Sequence, residues 1–162
     1  MAPRFDSIQD NAEEFARRYG CRLDDKLGWG LAGTVFLTSR QSALKILKWR
    51  ELYERERDTY LRLLDRNIQT VCGCNVPCLL GFDDELWAVE MTVVLPPYVL
   101  DFAGAFVEQR PEYPDEVLEE WLSDKREQFG DQWPLVRRII YAFEQLGIYL
   151  SDLNPNNIRL IP

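Results

Sequence analysis

Three glycines within six residues constrain this chain more than any other feature. They fall in Leu27-Gly28-Trp29-Gly30-Leu31-Ala32-Gly33-Thr34-Val35. A glycine lets the backbone pass close to another group because no Cβ intervenes. Thr34-Val35-Phe36-Leu37 continues from the last glycine as an apolar, β-prone run. The segment therefore joins two strands. A dinucleotide-binding fingerprint of the same spacing would open a helix instead. The residues alone leave two readings open: a loop folded over phosphates, or a glycine-rich hairpin that holds nothing.

The flanking pattern builds the rest. Ile8, Ala12, Phe15 and Tyr19 recur at helical spacing, and Gly20 is a suitable stop. Residues 23–48 read as three strands of an antiparallel meander. Residues 49–65 turn helical, with Trp49, Leu52, Tyr53, Tyr60, Leu63 and Leu64 apolar. Residues 76–82 and 86–94 read as two more strands, joined at Asp83-Asp84-Glu85, and Leu95-Pro96-Pro97 breaks the regular structure. Two helices follow. One carries the stripe Val117, Leu118, Trp121, Leu122 and ends near Gly130. The other carries Leu135, Val136, Ile139, Ile140, Phe143 and Leu146, with Pro134 in its first turn and Gly147 as its stop. Residues 147–162 read as a final loop.

Strands segregate from helices, so the expected class is α+β. The expected architecture is a five-stranded antiparallel sheet with one helix, then a reduced helical part, with a cleft near Pro96. The expected division is an N-terminal helix (1–22), a sheet unit (23–95) and a helical unit (96–162).

Charge and composition remove several function classes. The 162 residues carry a formal net charge of -8, which repels phosphate backbones and argues against nucleic acid as a partner. There is no histidine, so histidine bases, ligands and Ser-His-Asp triads are excluded. The first residues hold no apolar run and no stretch reaches bilayer length, so no membrane association and a cytoplasmic location are expected. The four cysteines then read as reduced thiols. Cys72-Gly73-Cys74 with Cys78 and the distant Cys21 is not a standard zinc spacing, and small buried or loop cysteines are the alternative.

Two residues inside apolar surroundings stand out. Lys45 lies in Ala43-Leu44-Lys45-Ile46, where an ammonium loses water and needs a partner. The alternative is an edge-strand lysine whose head reaches solvent. On the following helix Leu52, Tyr53, Glu56, Tyr60 and Leu63 share one face. A carboxylate in the middle of that stripe is a misfit unless paired, so Lys45–Glu56 is the expected ion pair. The bland alternative is an acid at the edge of the face. Near the end, Asp152-Leu153-Asn154-Pro155-Asn156-Asn157 offers carboxylate and amide oxygens, or simply a polar turn.

In this order the motifs resemble the protein-kinase-like superfamily, over residues 23–160. The glycine segment matches L-G-x-G-x-x-G-x-V, and Ala43-Leu44-Lys45-Ile46 is similar to V-A-I-K. Gly147-Ile148-Tyr149-Leu150-Ser151-Asp152-Leu153-Asn154-Pro155-Asn156-Asn157 looks like the catalytic loop. The resemblance implies ATP and Mg²⁺ as cofactors. It implies that Gly28, Gly30, Gly33 and Val35 cover the nucleotide and that the Lys45–Glu56 pair positions its phosphates. It also implies that Glu90 and Met91 lie in the adenine-reading hinge and that Asp101 reaches the ribose. Asp152 becomes the catalytic acid-base residue and Asn157 the metal ligand.

The departures shape the functional expectation. Leu150 and Ser151 replace His-Arg, and Asn154 replaces a lysine that steadies the γ-phosphate. No D-F-G follows Asn157. Asp101-Phe102-Ala103-Gly104 is superficially similar, but it precedes the loop and carries an extra residue, so it is set aside. The expectation is a minimal ATP-binding phosphotransferase acting on a protein or small-molecule hydroxyl. The alternatives are a non-catalytic pseudokinase that binds nucleotide or a protein partner, and half of a split kinase completed by a partner chain.

Overall fold

The computed structural model describes residues 7–100, 102–151 and 153–160. Helix α1 (Ile8–Tyr19) begins where Ser7 Oγ accepts the N–H of Asp10 at 3.0 Å, and it ends at Gly20, whose φ is 72°. This is the ordinary pairing of a serine N-cap with a left-handed glycine stop. Strands β1 (Leu23–Trp29), β2 (Gly33–Thr38) and β3 (Ser42–Leu47) follow as an antiparallel meander, then helix α2 (Arg50–Asp65). A small hairpin, β4 (Thr70–Val71) and β5 (Cys74–Asn75), precedes β6 (Leu79–Asp83) and β7 (Ala88–Thr92). Asp83 shapes the β6–β7 turn by accepting the N–H groups of Glu85 and Leu86.

The main sheet has the order β1-β2-β3-β7-β6, with every neighbour antiparallel. Its interior strand β3 is buried at all six positions. Successive side chains of a strand point to opposite faces. Ala43 and Leu47 pack with Tyr53, Tyr60 and Leu63 of α2, and Leu44 and Ile46 pack with Ala12 and Phe15 of α1. The sheet is thus covered by one helix on each face. Each fully buried Leu, Ile or Phe contributes roughly 1.5–3 kcal/mol. The fold is α+β with a five-stranded antiparallel sheet.

The remainder holds β8 (Tyr98–Val99), β9 (Phe106–Val107), α3 (Asp115–Phe129), a 3-10 turn (Gly130–Gln132), α4 (Trp133–Gln145), β10 (Ile148–Tyr149) and β11 (Ile158–Arg159). Val136, Ile139 and Phe143 bury one face of α4, as the spacing predicts. Three expectations change. The strands expected over 76–82 and 86–94 are shorter, because Val76 bonds Gln69 rather than the sheet and the ladder ends at Thr92. The final loop contains two strands, β10 and β11, each too short to leave a periodic trace. In α3 only Phe129 is buried, and Val117 and Leu118 of the expected stripe are 48% and 44% exposed.

Candidate functional site

Lys45 sits at the centre of the main sheet, opposite Val35 of β2 and Val89 of β7. An edge-strand position is therefore ruled out. Sheet alternation turns its side chain toward α2. Its Nζ lies 3.2 Å from Oε1 and 2.9 Å from Oε2 of Glu56, with the two side chains 8% and 1% exposed. Both charges have left water, and their attraction must offset that desolvation.

Helix α2 is fixed at several points along its length, which places Glu56. The Tyr53 hydroxyl donates to Asp84 Oδ1 at 2.6 Å, and Arg57 Nη1 donates to the same oxygen at 3.0 Å. Burial pushes the Tyr53 hydroxyl well above the usual phenol range, and the bond to Asp84 adds to this. The same Tyr53 bond, then Arg57, hold the Asp84 carboxyl below its ordinary value. Between Tyr53 and Arg57 in sequence, Arg55 stacks 4.0 Å from the centre of the Phe106 ring. Arg62 donates to the carbonyl of Leu146 at 2.9 Å and pairs with Glu108.

The glycines divide into two kinds. A Cβ on Gly33 would lie 2.1 Å from the carbonyl oxygen of Ile46, so the β2–β3 approach itself demands glycine there. A Cβ on Gly28 or Gly30 would meet no atom within 4 Å. Nothing among the described residues requires glycine at those two positions. Between them and Gly33, Trp29 and Leu31 project into solvent.

The two residues expected in a hinge face opposite ways. Glu90 aligns with Leu44, so its side chain faces α1, away from Lys45. It accepts from Arg40 Nη2 at 2.6 Å and from Ser42 Oγ at 3.0 Å. Met91 faces the α2 side, where its sulfur accepts from the Tyr60 hydroxyl at 3.1 Å. Both lie in β7, an interior strand paired on both edges. The structure therefore gathers Gly33, Val35, Lys45 and Glu56, and leaves the Glu90 side chain on the other face.

Asp101 and Asp152 lie outside the described residues. Their chain neighbours do not. Strand β8 pairs antiparallel with β11, through Val99 with Ile158 and Tyr98 with Arg159. Strand β9 pairs antiparallel with β10, through Val107 with Ile148 and Phe106 with Tyr149. Leu100 N donates to Asn157 O at 2.7 Å, and Ser151 Oγ donates to the carbonyl of Gly104. Phe102 is buried between Tyr60 and Phe143, 5.3 and 5.6 Å from their ring centres. The segments before and after Asp101 are thus paired with those after and before Asp152.

The loop that carries Asn157 is built by its own residues. Asn154 Oδ1 accepts the N–H groups of Asn156 and Asn157 at 2.9 and 3.3 Å, and Lys125 of α3 donates to the carbonyl of Leu153. Among the described residues no group of three or more His, Cys, Asp or Glu is placed to hold a metal. The four cysteines are free, Cys72 exposed and Cys74 buried. No helix among them is long and apolar enough to cross a membrane.

No protein-family model and no curated protein matches the chain. Among solved structures it is similar to the streptomycin–ATP–APH(2")-IIa ternary complex, at 21% identity and a TM-score of 0.39. That match covers 53% of this chain and 28% of the other. A likeness that low leaves the reading of the site to the chain's own residues.

Proposed function

We propose that this chain binds ATP beneath the β1–β2 glycine segment and transfers its γ-phosphoryl group to a hydroxyl of a protein or small molecule. The buried Lys45–Glu56 pair carries this reading. A dry ion pair is a poor source of stability, since an apolar pair of similar volume often does as well. An ammonium held rigid by a carboxylate is what the α and β phosphates of a nucleotide require. The open space over Gly28 and Gly30 suits the same ligand, because a phosphate can approach a backbone without Cβ atoms.

Magnesium fits this donor set in part. Asn157 offers an amide oxygen to such an ion. Mg²⁺ takes one or two protein oxygens and completes its shell with phosphates and water. When bound, it would neutralise charge on the phosphates. In the transfer itself, Asp152 would accept the proton of the acceptor hydroxyl. The hydroxyl oxygen bonds to the γ-phosphorus as the bridge to the β-phosphate breaks.

One observation favours a non-catalytic nucleotide-binding module as the second reading. Asn154 is neutral and its Oδ1 serves its own turn, so the loop offers no cation to the γ-phosphate at that position.

The test is calorimetric titration of ATP, with and without Mg²⁺, into the chain and its Lys45→Met variant. Saturable binding lost in the variant supports the site. No binding at millimolar ATP in a folded sample overturns both readings. If ATP binds, slow ADP production that stops in Asp152→Asn separates the catalytic reading from the passive one.

A further inference from the structure

A helix that packs on a body hides its apolar stripe, and α3 does so only at its C-terminal end. Phe129 is buried, and Trp121 and Leu122 are half-buried against the main core. Toward the N-terminus the stripe runs into solvent. Leu118 lies one turn before Leu122, and Val117 one turn before Trp121. Tyr113, just ahead of the helix, is 50% exposed. Every residue from 112 to 120 is exposed. An apolar strip of this length, open at one end and continuous with the core at the other, marks an interaction surface.

The charges around the strip say what covers it. Glu112, Asp115, Glu116, Glu119, Glu120 and Asp124 flank it, and the nearest lysine of the helix, Lys125, lies over the Trp121 ring at the packed end. Two copies meeting through this face would bring like charges together, which costs binding. A partner with Lys or Arg on either side of its own apolar stripe would match both the strip and its rim.

We propose that the N-terminal half of α3 is a docking surface for a basic amphipathic helix of a partner protein. The seat is Tyr113, Val117, Leu118 and Trp121, and the acidic rim selects the partner by sign. This inference does not rest on nucleotide binding.

The experiment is calorimetric titration of three synthetic 18-residue peptides into the intact chain: an amphipathic Leu/Lys helix, the same pattern with Glu for Lys, and a scrambled Leu/Lys peptide. The amphipathic Lys peptide is expected to bind at least tenfold tighter than either of the others. Leu118→Lys, at a position that is already exposed, is expected to weaken it at least tenfold, and Leu80→Lys, at an exposed position on β6, to leave it unchanged. The proposal fails if the three peptides bind alike or if Leu118→Lys has no effect. It also fails if sedimentation shows that the chain self-associates and that Leu118→Lys abolishes this, which would make a second copy the occupant.

Discussion

Two buried glutamates sit on opposite faces of the same sheet, and they are served differently. Glu90, toward α1, meets Arg40, whose side chain is 41% exposed, together with the Ser42 hydroxyl. Thr38 extends that network, 2.5 Å from Ser42 Oγ, and Arg40 also reaches the carbonyl of Tyr19 at 2.7 Å. Glu56, toward α2, meets Lys45, and both are almost wholly out of water. The first is a wet-ended pair that ties α1 to the sheet. The second is a dry pair at the sheet's centre, next to the strand that leaves the glycine segment. A pair that adds little stability but fixes a cation's position is suited to a ligand.

Breaking each pair gives the largest contrast. Lys45→Met removes the cation that faces the buried Glu56 carboxylate and is expected to cost about 3–5 kcal/mol, a fall in Tm on the order of 10 °C. Adding Glu56→Leu should restore most of the stability in urea unfolding, with ATP binding still absent. Glu90→Gln keeps hydrogen-bonding capacity and leaves a half-exposed arginine, so about 1–2 kcal/mol is expected, with ATP affinity unchanged. Equal ATP losses in the Lys45 and Glu90 variants would erase the distinction between the faces.

The glycines sharpen the same contrast more gently. Gly33→Ala drives a Cβ into the Ile46 carbonyl and is expected to cost about 1–3 kcal/mol. Gly30→Ala should change stability by less than about 0.5 kcal/mol and weaken ATP binding severalfold. If Gly30→Ala binds ATP normally, the segment is a hairpin and nothing more.

The smallest effect concerns pH. The raised Tyr53 hydroxyl contributes stability that is complete below its ordinary value near pH 10 and is lost as pH rises through its folded value. Asp84 does the reverse: its lowered carboxyl contributes above about pH 4 and loses that contribution as acid protonates it. Tyr53→Phe should therefore cost about 1 kcal/mol at pH 8 and flatten the alkaline fall between about pH 9.5 and 11. With no histidine in the chain, stability should vary little between about pH 5 and 8, below the range in which the Cys21 and Cys74 thiols, pushed up by burial, add to the alkaline fall.

Much of the sheet unit was legible because its signals are periodic. The helix faces, the three-strand meander and the Lys45–Glu56 pair all follow from spacing plus the cost of burying charge. Glu90 and Met91, expected in the hinge, are adjacent in β7, so their side chains face opposite ways. The final segment was read as loop because two-residue strands have no period. What placed β8 beside β11 and β9 beside β10 was tertiary pairing between segments about fifty residues apart, which no local pattern encodes. The α3 stripe was over-read for the opposite reason: amphipathicity shows that a face wants cover, not that this chain supplies it.

The fastening of α2 has a kinetic consequence. Tyr53 and Arg57 hold it to the β6–β7 turn, and Arg55 and Arg62 hold it to Phe106, Glu108 and Leu146. Such a helix cannot swing out alone; it lets go only when its neighbours do. Amide protons of α2 and β3 should then exchange with solvent through one shared opening, at closely similar protection factors. The carboxylate that meets Lys45 is held in place by these contacts of the fold itself.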